Sequence, residues 1–175
     1  MDDDKLTRLQ ELADKQEIFE LSATYMRGLD RLDGDLVKSV YHGDATDHRG
    51  FFTGTGWEVA EFAMGLLKDH LVNHHMLGQA NITLEGDVAF GEIYFHAYHR
   101  VILNEVERDF VIGGRYVDRY ERRDNLWKIA HRTELNDFAR MDPIADDWLR
   151  ETPEALRGYR GADDLSSQLD KVRHL

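Results

Sequence analysis

The chain has 175 residues, of which 42% are hydrophobic and 32% are charged, a balance typical of a single soluble globular domain. It contains no cysteine, so disulfides, thiolate nucleophiles and cysteine metal sites are excluded. The formal net charge of −12 should repel phosphate backbones over most of the surface, which argues against nucleic acid as a partner.

The beginning of the chain is acidic and leads into no apolar run of signal-peptide length. No later stretch reaches the roughly 18 consecutive apolar residues that a membrane-spanning helix requires. We therefore expect a cytoplasmic protein with no membrane partner.

Apolar residues recur at helical spacing in the first part of the chain. The longest such stretch contains no proline and a single glycine, which predicts an uninterrupted helix. The segment from His42 to Gly56 contains four glycines, which indicates a loop that could hold a short strand. The predicted helices cover about Asp4–Arg31, Asp35–Tyr41 and Trp57–Val72.

Beyond residue 75 the period becomes alternating, with β-branched and aromatic side chains between turn residues. The sharpest hairpin signals are Gly86-Asp87 and Asp124-Asn125. Helices followed by a long meander predict an α+β domain over residues 1–140, with helices packed on one face of a curved antiparallel sheet. Residues 141–175 would form a C-terminal extension, either a lid or a subunit contact. The predicted strands are Met76–Leu84, Val88–Leu103, Glu107–Arg122 and Leu126–Phe138.

Asp30 is a carboxylate that follows Tyr25, Met26 and Leu29 in an otherwise apolar stretch of the first helix, where it needs a partner. His75 and Arg132 are two candidates. A carboxylate that orients a histidine beside an arginine can move a proton next to a developing negative charge, which predicts a cofactor-free acid–base enzyme. Asp30 could instead cap the turn that follows it, or pair with a neighbouring arginine.

Three segments resemble the SnoaL-like branch of the NTF2-like superfamily. Residues 113–124, with Leu126–Ile129 and His131-Arg132 after them, resemble its closing strands. Residues 41–50 and 74–78 resemble its loop and its third-helix exit. The resemblance covers roughly residues 5–140 and is to the branch of scytalone dehydratase, hexachlorocyclohexane dehydrochlorinase and bile acid 7α-dehydratase. It implies a cone-shaped fold with the N-terminal helices on the concave face of the sheet.

The resemblance also implies site residues. Asp30 and His75 correspond to the catalytic dyad of this branch, Arg132 to an arginine of the dehydrochlorinase site, and His99 to a second histidine of scytalone dehydratase. Hydrogen-bond donors to the substrate would be Tyr25, His48, Tyr94 and Tyr98. Leu29 and His48 replace two tyrosines of scytalone dehydratase, which argues against scytalone as the substrate.

A metal site is the competing interpretation of the loop residues His42, Asp44, Asp47 and His48, since two histidines and a carboxylate can hold iron. All four lie within seven residues, however, and the family has a similar loop without metal. We therefore expect neither a metal nor another cofactor.

The function that follows is a lyase acting on a hydrophobic, cyclic or aromatic, hydroxylated small molecule by dehydratase-type elimination. Alternatives within the fold are a carbon–carbon lyase releasing a small aldehyde, a ketosteroid-type isomerase, a ligand-binding domain and a non-catalytic β subunit of a ring-hydroxylating dioxygenase. A curved sheet with helices on one side leaves its other face open, so a homo-oligomer is expected. Because related dehydratases are trimers, the resemblance favours a trimer over a dimer for this chain.

Overall fold

The structure is a computed structural model that describes residues 2–173. Three helices and two strands come first, and four long strands follow before a C-terminal segment of short helices. The elements are α1 (Asp3–Arg31), α2 (Gly34–Ser39), β1 (Tyr41–His48), β2 (Thr53–Thr55), α3 (Gly56–Leu67), β3 (Val72–Glu85), β4 (Val88–Leu103), β5 (Val106–Arg123), β6 (Leu126–Pro143), α4 (Asp147–Glu151) and α5 (Leu169–Val172), with 3-10 turns at Gly161–Asp163 and Leu165–Ser167.

The six strands form one curved, open sheet in the order β2-β1-β6-β5-β4-β3. Strands β3 to β6 are an antiparallel meander, whereas β1 lies parallel to β6 and carries β2 as an antiparallel edge strand. The predicted α+β fold, with N-terminal helices against a curved sheet, is confirmed. The β1–β6 pair makes the sheet mixed rather than wholly antiparallel.

Helix α1 begins where the Asp2 carboxylate accepts a hydrogen bond from the Lys5 amide at 2.8 Å. It ends at Arg31, and the capping residue Leu32 has a left-handed φ of 54°. Side chains at helical spacing form a buried stripe that packs toward β3 and β6, so the C-terminal part of α1 brings its residues into the interior of the domain. The stripe comprises Asp14, Ile18, Ser22, Tyr25, Met26 and Leu29.

The largest differences from the sequence-based element boundaries occur at four places. Helix α3 ends at Leu67, and β3 begins at Val72, so the paired histidines lie inside a strand. Strand β6 runs to Pro143, beyond the predicted end at Phe138. The predicted loop over residues 42–56 is corrected, because it holds most of β1 and all of β2. Alternating hydrophobicity is missing there because one of the inward positions is the fully buried Asp47.

Close packing of α1 on α2 depends on Gly28. A Cβ at this position would lie 2.5 Å from Val37 Cγ2. The C-terminal segment is held on the end of α1, where Arg31 Nε lies 3.4 Å from Asp164 Oδ1 and Arg27 Nη1 donates to Ser166 Oγ at 3.0 Å. No helix in residues 2–173 is long and apolar enough to cross a membrane.

Candidate active site

An apolar cavity of about 110 Å³ lies between the helices and the concave face of the sheet. Its mouth is formed by exposed side chains of Phe51, Phe62 and Leu66. The polar groups in its wall are few. They are Tyr25, Arg49, His75, His99, Tyr116 and Glu134, among apolar residues that include Leu29, Val59, Leu67, Phe95, Ala97 and Ile112.

His75 is held by Asp30 through three short contacts. Its Nδ1 lies 2.7 Å from Asp30 Oδ1, and its backbone N–H points at both carboxylate oxygens at 3.1 and 3.2 Å. A carboxylate accepts hydrogen bonds, so the Nδ1–H donates, and in the neutral form of the ring Nε2 carries the lone pair. Nε2 has no hydrogen-bond partner among the described residues. The pair therefore presents a basic nitrogen in the wall of an apolar cavity.

Asp30 itself lies behind the cavity wall. It is half-buried and lines a separate outer groove with Phe19, Met26 and Leu77, whereas His75 lines both spaces. Asp30 can therefore orient and stabilise the imidazole, while contact with a molecule in the cavity falls to His75.

His99 stands next to His75 in the wall, with ring centroids 5.0 Å apart in an edge-on arrangement. It is 5% exposed. Burial, and then the neighbouring His75 and His70, lower the pKa of His99 to about 3. The two histidines thus line the same cavity, and His99 is neutral at physiological pH.

Arg49 brings a second polar cluster to the cavity and was missed by the sequence analysis. Its Nη2 donates to the Tyr25 hydroxyl oxygen at 2.7 Å, its Nε donates to Asp47 Oδ1 at 3.0 Å, and Nη1 is paired with Glu134. Burial disfavours its charge, but Tyr25, Glu134 and Asp47 outweigh burial and raise the pKa of the guanidinium well above its usual value. Tyr41 completes the cluster by donating to Asp47 Oδ2 at 2.8 Å.

The Tyr25 hydroxyl is left with a proton to donate. Its oxygen already accepts from Arg49, which has only donors, so its own hydrogen is available to another acceptor. Burial raises the pKa of Tyr25 above its usual value, so the phenol is protonated at neutral pH. No residue pattern in the sequence indicated that Arg49 and Tyr25 would meet.

Arg132 does not line the cavity. It is fully buried, and its Nη2 lies 2.6 Å from Asp118 Oδ2. Its guanidinium lies 3.9 Å from the ring centre of Tyr116 and 4.7 Å from that of Tyr25, and Nη2 also donates to Ser22 Oγ at 3.2 Å. Arg132 therefore lies behind the two tyrosine rings. This position does not match the direct contact with a leaving group that was expected from the sequence.

Three of the expected substrate-binding residues also lie away from the cavity. Phe95, Ala97 and His99 of β4 face inward, so Tyr94 and Tyr98 face the opposite side of the sheet. Tyr98 donates to Asp109 Oδ1 at 2.6 Å, and Arg115 lies 5.8 Å from the Tyr94 ring centre. His48 is exposed and hydrogen-bonds to Thr53 Oγ1 at 2.6 Å. Of these expected donors to the substrate, Tyr25 alone lines the cavity.

Within residues 2–173, no group of three or more histidine or carboxylate side chains is arranged to hold a metal ion. The loop residues of the competing metal interpretation have other partners instead. His42 Nε2 lies 2.9 Å from the Glu121 carbonyl oxygen, and Asp44 pairs with Arg123 at 2.7 Å.

Comparison with known proteins gives one family. A model of the SnoaL-like domain matches residues 10–133. A comparison with proteins of curated function finds no match.

Solved structures with the same fold come from several proteins. Hexachlorocyclohexane dehydrochlorinase LinA-type3 from Novosphingobium barchaimii LL02 has 21% identity and a TM-score of 0.65, covering 79% of this chain and 95% of that chain. A provisionally named scytalone dehydratase from Novosphingobium aromaticivorans has 17% identity and a TM-score of 0.66, covering 77% and 95%. A provisionally named aromatic ring hydroxylase from the same species has 23% identity and a TM-score of 0.64, covering 78% and 96%. At these identities the likeness concerns the fold.

Proposed function

This chain belongs to the SnoaL-like domain family, and on that premise we propose that it is a cofactor-independent lyase. The substrate would be a hydrophobic cyclic or aromatic small molecule that carries a hydroxyl or a comparable leaving group. One observation carries the proposal: His75, anchored by Asp30 at 2.7 Å, presents a free Nε2 to a cavity whose wall is mainly apolar.

The reaction begins with proton removal from carbon. His75 Nε2 takes the proton from the carbon next to a carbonyl, and the C–H electron pair moves into that carbonyl to give an enolate. The enolate then re-forms the carbonyl, its electron pair becomes the new carbon–carbon double bond, and the bond to the leaving oxygen breaks. Asp30 stabilises the imidazolium formed in this step. The imidazolium then returns its proton to the departing hydroxide, so water leaves and the enzyme regains its starting state. Positioned acid–base catalysis of this kind contributes about 10²–10⁴-fold in rate.

Tyr25 and Arg49 supply the electrostatic part of the proposal. A carbonyl next to the acidic C–H would accept the Tyr25 hydrogen, and the developing enolate would be stabilised by that bond and by the adjacent guanidinium. Arg132 would act through the tyrosines, because its charge lies against the rings of Tyr25 and Tyr116. We assign it a positioning role and leave direct contact with substrate to Arg49 and Tyr25.

The test uses cyclic β-hydroxy ketones of one and two rings, with enone absorbance and product mass as readouts. We expect loss of water from at least one compound with the wild-type protein. His75→Ala and Asp30→Asn should lower turnover by about 10²-fold or more. His74→Ala is the matched control, since the neighbouring His74 is exposed on the other side of the strand and should retain turnover.

The alternatives give different results. An isomerase would yield a product of unchanged mass, and a carbon–carbon lyase would release an aldehyde. A binding domain or a dioxygenase β subunit would show no turnover, and the binding domain would keep its ligand affinity in His75→Ala. Full activity of His75→Ala would refute the proposed dyad.

A further inference from the structure

Asn73 connects the cavity wall to His70, a half-buried histidine outside it. It lies two residues before His75 on β3 and is 7% exposed. Its Nδ2 donates to the Leu67 carbonyl oxygen at 3.3 Å. Its Oδ1 lies 3.1 Å from His99 Nδ1 and 3.1 Å from His70 Nδ1. One amide therefore contacts two imidazole rings and the end of α3.

These contacts fix which ring nitrogens carry hydrogen. The Leu67 carbonyl can only accept, so the amide nitrogen of Asn73 must face it, and Oδ1 must face the rings. Because Oδ1 also only accepts, the Nδ1 atoms of His70 and His99 must both donate. His99 Nε2 is then left with a lone pair, and among the described residues it has no hydrogen-bond partner.

His75 and His99 differ in what holds their Nδ1–H. A carboxylate holds His75 and stabilises the charged ring, whereas a neutral amide shared between two rings holds His99. The titratable groups that face His99 are His75 and His70, whose ring centroids lie 5.0 and 4.9 Å away, and the Phe110 ring packs beside them at 6.2 Å. This environment opposes protonation of His99, in keeping with its lowered pKa.

We propose that Asn73 is a positioning residue that holds His99 as an obligate hydrogen-bond acceptor, whose Nε2 receives an O–H or N–H donor of the substrate and transfers no proton. This inference rests on the proposed function for the presence of a substrate. In this proposal His75 transfers the proton. His99 favours substrates that carry a hydrogen-bond donor opposite its Nε2. A substrate whose donor hydroxyl is methylated should have a lower kcat/KM, because the methyl group would collide with the lone pair of His99 Nε2.

The first test needs no substrate. Long-range ¹H–¹⁵N correlation spectra of the histidine rings distinguish the two neutral tautomers and the imidazolium. We expect wild-type His99 to be neutral, with its hydrogen on Nδ1, from pH 5 to pH 8. An Nε2–H tautomer or an imidazolium in that range would overturn the proposal, whatever the behaviour of the variants.

Two variants test the role of Asn73 itself. Asn73→Asp places a carboxylate against the rings of His70 and His99, and we expect the His99 titration to move upward by about 1–3 pH units. Asn73→Leu removes the acceptor, and we expect mixed tautomers at His99. Asn81→Asp, which adds the same charge at an exposed position of β3, should leave the His99 signals unchanged. A fixed Nδ1–H tautomer in Asn73→Leu would refute the positioning role.

The substrate arm separates this inference from the function on which it rests. With a turned-over hydroxy ketone that carries a second hydroxyl besides the leaving one, Asn73→Leu should raise KM more than it lowers kcat, and the analogue methylated at that second hydroxyl should lose its disadvantage. Wild-type turnover together with the wrong His99 tautomer would overturn the acceptor role and leave the lyase proposal standing. The expected tautomer without turnover of any compound would refute the lyase and leave the Asn73–His99 geometry intact.

Discussion

Replacing His99 by asparagine should make the protein less sensitive to acid. An asparagine keeps an N–H donor near the place of Nδ1 and removes the titrating ring. The pKa of His99 is about 3 in the native state, against the ordinary value of 6.5 that histidine has in an unfolded chain. Below pH 6.5 the unfolded chain therefore binds a proton that the native state refuses. The native state loses stability relative to the unfolded chain as the pH falls from 6.5 toward 3.

The size of this effect follows from the linkage relation. Each pH unit between the two pKa values changes the free energy of unfolding by about 1.4 kcal/mol. Between pH 7 and pH 5 the wild-type protein should thus lose about 2 kcal/mol through His99 alone. His99→Asn lacks this loss, so its stability relative to wild type should improve by about 2 kcal/mol over that interval.

Urea unfolding at pH 7 and at pH 5, monitored by tryptophan fluorescence, measures the free energy of unfolding at each pH. Carboxylates and the other histidines titrate in both proteins, so the difference between wild type and variant cancels their contributions. His74→Asn is the control, because it makes the same substitution at an exposed histidine of β3. The free energies of unfolding of wild type and His99→Asn differ by some amount at each pH. If that difference is the same at pH 7 and pH 5 within about 0.5 kcal/mol, His99 is not buried as a neutral ring.

Two further predictions concern stability. Arg132→Met should lower the free energy of unfolding by about 3–5 kcal/mol, because it leaves the fully buried Asp118 carboxylate without its partner, and adding Asp118→Leu should recover most of the loss. A double-mutant cycle in urea checks this, and additive losses would contradict it. Gly28→Ala should lower stability by about 1–3 kcal/mol, since the new Cβ would lie 2.5 Å from Val37 Cγ2. Gly65→Ala in α3, with no atom within 4 Å of the new Cβ, should raise the thermal midpoint instead.

The site residues expected from sequence show where one-dimensional reasoning reaches its limit. Tyr98 and His99 are adjacent on a strand and must face opposite sides of the sheet, so the two could not both line one cavity. Alternation alone could have removed Tyr98, and Tyr94 with it, once His99 was placed inward. Alternation does not indicate, however, how deeply an inward-facing side chain is buried. Arg132 and Glu134 both point inward from β6, yet the arginine is closed off by Asp118 and the tyrosine rings, while the glutamate reaches the cavity.

Bulges add a second limit. The register of β5 and β6 shifts between Gly113 and Gly114 and again between Arg119 and Tyr120, and each shift changes which residues face inward. Strand β1 was missed for a related reason, since an inward position holds the charged Asp47 and no hydrophobic period marks the strand. Asp47 is tolerated there because Arg49 and Tyr41 satisfy its oxygens, and those contacts exist only in the folded chain.

The sequence by itself determined the long first helix, the antiparallel strands and the α+β class, because hydrophobic period and turn residues act locally along the chain. The tertiary structure alone decided that Arg49, Tyr25 and Glu134 share one cluster, that Arg132 lies behind the cavity, and that Asn73 sets the tautomer of His99. Those properties depend on hydrogen bonds between residues distant in sequence and on burial, and neither is encoded in the spacing of any one segment.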